Sequence, residues 1–430
     1  MIPCFVLFVI GLLARVMLRS WAVPSALFIA VWLFYMSFSL VLSPFKALDL
    51  GLWWMVMTMF VFFAGDLTGQ RFALARPAPP HNYDPEFPFL PVVVLVALSG
   101  AAVYFLYSPV YVLPDTMAKP PRWFQIFLAS SHAFPMFCGL LYASARRTWH
   151  RVLGLSNFVV GVIFAAQQSS RSVMAVSVAF WTATYLPVAV MRTRGDFKVF
   201  TRERVPLALS AAVLILVSLI VSTVSRQIEA SKIFADNSKS GWLAISDAMD
   251  KESATSSWEG LQSSTVGSIA SFTWWFDREI QHPSWTMRYF PIMFSGPLEQ
   301  FGLMDRSKTA FETTYFSDGT GSNVYTLFRP LIEAFTLPGS LIVVFLVGLL
   351  GGRSYVAVHR GNVVAISVLA VIIPNVMISG GLWFGYNSIV LAFLSLFFYL
   401  LFVRWLTTQR QRARASFAAP PRHLLASAPR

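Results

Sequence analysis

GTGSNVYTLFRPLIEAFTLPGSLIVVFLVGLLGG, residues 319–352, runs from a polar, glycine-rich stretch through an arginine–proline pair into an apolar segment. From residue 336 to 352 it carries no charged side chain. A bilayer core takes about 20 mostly apolar helical residues to cross, fewer where flanking side chains reach the interface. The second half of the stretch therefore reads as a membrane span. The first half becomes a membrane-edge feature, and Arg329 lies at the boundary.

Composition agrees with a membrane setting. Of 430 residues 56% are hydrophobic and 12% charged, with a mean hydropathy of +0.62, whereas soluble domains carry roughly 25% charged residues. Cys4 and Cys138 sit in apolar stretches without metal-type spacing, so neither a disulfide framework nor a zinc site is indicated. The opening MIPCFVLFVIGLLA has no basic region before its apolar run and no small-residue cleavage pattern, and reads as a first helix.

Working outward, we expect an all-α polytopic protein of about eleven spans. They fall near residues 2–18, 21–43, 50–66, 88–107, 128–145, 152–168, 172–191, 206–224, 336–352, 362–382 and 384–404. The expected organisation is eight spans over 1–224, a loop domain over 225–335, three spans over 336–404 and a basic tail over 405–430.

Orientation follows from the Lys and Arg positions, because short cytoplasmic loops hold them in excess. With the tail RWLTTQRQRARASFAAPPRHLLASAPR inside, 20 of the 33 Lys and Arg fall on that side, among them the dense run Arg192, Arg194, Lys198, Arg202 and Arg204. The N-terminus and the 225–335 domain are then periplasmic and the C-terminus cytoplasmic. The net charge of +13 is thus a topology signal, and nucleic acid is not an expected partner. The 225–335 segment has its own character, with 13 of the 20 acidic residues against nine basic ones. Loops of that length are usually functional. Its SFTWWFDREIQHPSWTMRYFP run suits an interfacial cap or a sugar-facing surface.

Three arginines stand out on the outer side. Arg171 opens the seventh span, against both the charge bias and the positive end of the helix dipole. A cation placed there at a cost suits an anionic ligand, or snorkels to lipid headgroups. Arg329 precedes Pro330, a residue suited to the first helical position, so Arg329 reads as a cap beside free backbone N–H groups. Glu333, one turn on, reads as a first-turn acid or as the partner of Arg329. LPGS at 337–340 is expected to break the short helix before the span. Arg288 lies among aromatics that suit either a cation–π contact or a functional role.

Together these cations point to a lipid-linked phosphate or diphosphate. The chain has no GxxxxGK[ST] loop, and DGTGSN lacks the lysine and reads as a turn. His282 is isolated, so we expect no metal and no cofactor. Cleaving a sugar–diphosphate bond develops charge on the leaving phosphate, which fixed arginines in a poorly hydrated site stabilise. The acceptor hydroxyl needs a base, for which Glu299, Asp277, His282 and Glu333 are the candidates.

RYFPIMFSGPLEQFGL, then GTGSNVYTLFRP running into an apolar span, with SSRS opening another, resembles the Wzy-type polymerases of oligosaccharide repeat units. The match to that family's YTFLRP-like string is carried by Tyr325, Thr326, Leu327, Phe328, Arg329 and Pro330. EAFTLPGS replaces the family's aspartate- and glycine-rich continuation. The resemblance implies a GT-C-like glycosyltransferase of the bacterial inner membrane. Such enzymes move a growing glycan from undecaprenyl diphosphate onto the next lipid-linked repeat unit, serving O-antigen or exopolysaccharide synthesis. On that basis Arg171, Arg329 and Arg288 are expected catalytic residues, and Tyr325, Asn323 and Tyr289 substrate-binding ones. Expected partners are the lipid-linked oligosaccharide, the bilayer, and the flippase and chain-length regulator of the same pathway. The alternatives are an O-antigen ligase and a lipid-linked oligosaccharide flippase or transporter, although no internal repeat of the transporter kind is found.

Overall fold

The computed structural model describes residues 2–42, 47–75, 133–159, 172–193, 267–281, 303, 314–315, 321–322, 328–377 and 387–418. Apart from one short strand pair, these are helices and their connections. In chain order the helices are α1 (Ile2–Leu18), α2 (Pro24–Leu42), α3 (Asp49–Leu74), α4 (Ala133–Ser144), α5 (Thr148–Leu153), α6 (Ser172–Thr193) and α7 (Gly267–Gln281). After the strands β1 (Thr314–Tyr315) and β2 (Gly321–Ser322) come α8 (Phe328–His359), α9 (Ala365–Met377) and α10 (Asn387–Ala418). The strands pair antiparallel, Thr314 with Ser322 and Tyr315 with Gly321.

Among the described residues, four stretches are long and apolar enough to cross a membrane: Pro24–Val41, Asp49–Leu74, Phe328–His359 and Ala392–Arg410. Ile2–Leu18, Ala133–Ser144 and Ala365–Met377 are shorter apolar helices. The set fits an all-helical membrane protein, since only structures that satisfy their own backbone can stand in hydrocarbon. Exposed Ile342, Leu346 and Leu350 recur at helical spacing on one face of α8, as a lipid-facing stripe would. Thr58 and Thr68 donate their hydroxyls to the Trp54 and Ala64 carbonyls at 2.9 and 2.7 Å, so these polar groups need no water.

Helix association in a bilayer relies on close packing, because lipid is as apolar as leucine. The α3–α8 contact uses that rule on both sides. A Cβ at Gly65 would strike the Phe345 carbonyl oxygen, and one at Gly69 that of Leu349. In return, a Cβ at Gly348 would strike the Phe62 carbonyl and one at Gly352 that of Asp66. Each helix carries its glycines four residues apart, and the pairing runs in register with the two helices parallel. At the far end, Arg360 donates to the last carbonyls of α3, Ala73 at 2.8 Å and Leu74 at 3.4 Å, where a cation complements the helix dipole. Gly361, at φ 82°, then closes α8 in the left-handed conformation open to glycine.

The described residues form two apolar cores. One gathers α1, α2, α3, α7 and α8 around Trp32, Phe62, Phe272 and Phe328. The other gathers α4, α6, α9 and α10 around Phe137, Trp181, Ile366 and Leu396. In the second, Trp181 Nε1 donates to the Gly154 carbonyl at 2.8 Å and Thr184 Oγ1 to that of Met136 at 2.6 Å.

Several expected boundaries move. The expected span 336–352 is a helix running on to His359, and α10 continues past 404 to Ala418. The helix at 328 breaks at Thr336, ahead of LPGS, and Pro338 is the second residue of the continuing helix. Proline is tolerated in a first turn because its missing N–H has no partner there.

Candidate functional site

The sequence YTLFRP leads into a short arm, residues 328–335, that precedes the break in α8. Thr336 stands at φ 66° and ψ 172°. That region belongs essentially to glycine, and a β-branched residue held there is strained. The arm is thus set off from the long limb that the glycines bind to α3.

Phe328 anchors the start of the arm. Its ring centroid lies 4.8 Å from Trp32, 5.6 Å from Phe272 and 6.4 Å from Phe28. Trp32 is about halfway along α2, so the arm begins inside the bundle. Arg329 is therefore the second residue of a buried helical turn and is only 5% exposed. The expectation of a cap residue at an open helix start is corrected, because the helix begins one residue earlier at Phe328.

The Arg329 guanidinium touches both Glu333 and Trp275. Nε donates to Glu333 Oε1 at 2.8 Å across one helical turn. The Trp275 ring lies beneath the same group, 5.0 Å from its carbon to the ring centroid. A desolvated cation–π contact of this kind is worth about 2 kcal/mol. Trp275 is supplied by α7, which is pressed onto α3. A Cβ on Gly51 would meet the Thr273 backbone at 2.8 Å, and Leu48 N–H donates to Thr273 Oγ1 at 3.1 Å. The stretch SFTWWF thus buries Phe272, Trp275 and Phe276 inside the bundle and leaves Trp274 exposed. Within the described part of the run, residues 271–281, these three aromatics take a lining role, and the remainder of the run lies outside the described residues.

The arrangement brings together Arg329 and Glu333 of the expected site. Asp277 is half-buried on α7, two residues past Trp275, and an offset of about 200° around the helix turns it from Trp275's face. Arg171, Arg288, Tyr289, His282, Glu299, Asn323 and Tyr325 lie outside the described residues. The helix α6 begins at Ser172, immediately after Arg171. Among the described residues no three His, Cys, Asp or Glu side chains stand close enough to hold a metal ion.

A second polar centre escaped the sequence reading. Asp66, fully buried on α3, accepts the Ser25 backbone N–H on Oδ2 at 3.0 Å and the Gln70 amide on Oδ1 at 2.8 Å. Nearby, Tyr355 Oη donates to Ser20 Oγ at 3.1 Å. The available signal was an acid inside an apolar run, an expensive placement that marks a specific partner.

Chemically, the arm offers a permanent cation in a dry, aromatic-lined position with a carboxylate as its present counter-charge. No family model, curated protein or solved structure matches the chain.

Proposed function

We propose that the protein is a Wzy-type polymerase that joins undecaprenyl-diphosphate-linked oligosaccharide repeat units at the periplasmic face of the bacterial inner membrane. The observation that carries the reading is Arg329, a cation kept 5% exposed inside a membrane-type bundle on the arm that begins with the last three residues of the YTLFRP string. Burying an arginine costs several kcal/mol unless its charge is matched. Such a residue is retained in hydrocarbon surroundings where it serves an anion.

In this reading the sugar C1–O bond to the diphosphate breaks and the diphosphate leaves with the electron pair. Arg329, with Arg171 and Arg288, stabilises the charge that appears on it. The acceptor hydroxyl oxygen forms the new bond to C1 as its proton passes to a base drawn from Glu299, Asp277, His282 and Glu333. Arginine suits the role because its charge persists and its planar fork matches phosphate oxygens, so the scheme runs without a metal. The finer architecture proposed with it is a GT-C-like bundle of about eleven spans, with residues 225–335 and the N-terminus periplasmic and the tail cytoplasmic. The flippase and chain-length regulator of the pathway are its proposed partners.

The test uses purified full-length protein and lipid-linked repeat units in excess EDTA. A ladder of lengthening glycan supports the reading, and its absence until magnesium is added overturns the arginine-only scheme. Transfer to a lipid A core instead of a repeat unit would make the protein a ligase.

A further inference from the structure

Two buried polar groups beside the arm make no hydrogen bond among the described residues, the Trp32 indole Nε1 and the Ser271 hydroxyl. Both residues are fully buried. A buried indole N–H ordinarily finds an acceptor, and a helical serine or threonine can turn its hydroxyl back onto a carbonyl about one turn behind. Thr273, two residues on from Ser271, does so, donating to the Ala270 carbonyl at 2.9 Å. A bare buried group of this kind destabilises the fold, so each calls for a partner that the described residues do not supply.

Position ties both groups to Arg329. Trp32 stands on α2 with its ring 4.8 Å from that of Phe328, the residue before Arg329. Ser271 stands on α7 one turn before Trp275 and on the same helical face, and Trp275 lies beneath the guanidinium. Phe272, next to Ser271, packs on Phe328 at 5.6 Å, and α7 contacts α2 as well as α8. The chemistry of these groups agrees. An indole N–H and a guanidinium only donate, and a hydroxyl donates beside them. Two neutral donors next to a fixed cation suit a ligand whose oxygens only accept, and a phosphate is such a ligand.

We propose that Trp32 Nε1 and Ser271 Oγ are the neutral donors of the Arg329 site and bind the diphosphate oxygens of the lipid carrier. The proposal rests on the polymerase reading and names two further binding residues for it. Neutral donors strengthen the hold on an anion without adding a second charge that the bundle must bury. The destabilisation falls on the ligand-free protein, the usual exchange of stability for function at a binding site.

The experiment is equilibrium binding of farnesyl diphosphate to the full-length protein in detergent, with inorganic pyrophosphate and farnesol as competitors, together with thermal unfolding of the ligand-free protein. Ser271→Ala removes one donor. Benzothienylalanine introduced in place of Trp32 exchanges the indole N–H for sulfur at nearly constant shape. Each change should weaken farnesyl diphosphate binding roughly ten- to a hundredfold, the range for a hydrogen bond to a charged group. Each variant should also unfold at the same temperature as wild type or higher, because a bare polar group has been removed. Pyrophosphate should compete and farnesol should not, which places the contact on the diphosphate, and competition by farnesol alone would overturn it. Folded variants that bind as wild type does overturn the proposal, assign the two groups to bound water and leave the polymerase reading standing. A lower unfolding midpoint for either variant also overturns it, since that group would then have a partner inside the protein. Wild type that binds neither farnesyl diphosphate nor pyrophosphate overturns the polymerase reading, and the donor assignment with it.

Discussion

Asp66 on α3 caps α2. Its Oδ2 accepts the N–H of Ser25, the second residue of that helix, at 3.0 Å, with both residues fully buried. A helix start leaves its first N–H groups without intrahelical partners, and a buried one must find an acceptor. Here it comes from a neighbouring helix. Gln70 holds the other oxygen at 2.8 Å, and Gly352 admits the close approach of α8, where a Cβ would come within 2.7 Å of Oδ1. One carboxylate thus ties α2 to α3 at the level where α8 comes close.

Asp66→Ala should destabilise the protein by more than Asp66→Asn. Alanine orphans the buried Ser25 N–H, at a cost of about 1–3 kcal/mol, while asparagine keeps an acceptor oxygen. Thermal unfolding of detergent-purified protein checks this, and equal midpoints for the two variants would count against the cap.

Gly352→Ala and Gly65→Ala should each lose most of the folded protein, because the added methyl lands on a backbone carbonyl of the facing helix. Gly351→Ala is the control one residue away. Its Cβ would meet Pro24 Cγ at an ordinary 3.4 Å, so it should fold. Size-exclusion yield from membranes separates the outcomes, and a normal yield for Gly352→Ala would mean that the helices can part without penalty.

Thr336→Gly should raise thermal stability. A non-glycine residue at φ 66° and ψ 172° carries strain on the order of 1–3 kcal/mol. Glycine removes that strain but adds freedom to the unfolded chain, which offsets up to about 1 kcal/mol. A lower unfolding midpoint for the glycine variant would show that the threonine side chain earns its place through contacts.

Arg329→Ala should slow glycan polymerisation roughly a hundred- to a thousandfold, the usual loss when one fixed donor to a developing charge is removed. Arg329→Lys should restore only part of it, because an ammonium lacks the fork. Chain-length analysis of the product is the measurement, and full activity in the alanine variant would sink the assignment.

Cysteines placed at Ser256 and Ser317 should react with a membrane-impermeant maleimide in intact spheroplasts, and one at Ala413 only after lysis. Labelling of Ala413→Cys in intact cells would reverse the proposed sidedness and move the site to the other face.

The two centres were unequally legible in the sequence. Arg329 and Glu333 stand four residues apart on one helical face, so their pairing is local and was one of the two readings that helical spacing offered for Glu333. Trp275 is 54 residues upstream of Arg329, and nothing in SFTWWF says which of its aromatics turns inward. Asp66 and Ser25 are 41 residues apart, and their bond exists only because α2 and α3 pack side by side. The spacing of Gly65 to Gly69 and of Gly348 to Gly352 was visible, but spacing alone does not say which two helices meet.

What the sequence by itself determined is the membrane character, the helical class and the short-range chemistry of the arm. These depend on composition and on contacts within about one helical turn, which chain order specifies directly. The tertiary structure alone decided that the arm lies inside the bundle, that Trp275 sits beneath Arg329, that Thr336 takes the strained break and that Asp66 closes the start of α2. Each of those follows from the approach of helices distant in sequence. In a bilayer-type interior that approach is set by which backbones can touch at glycine and which buried polar groups can satisfy one another.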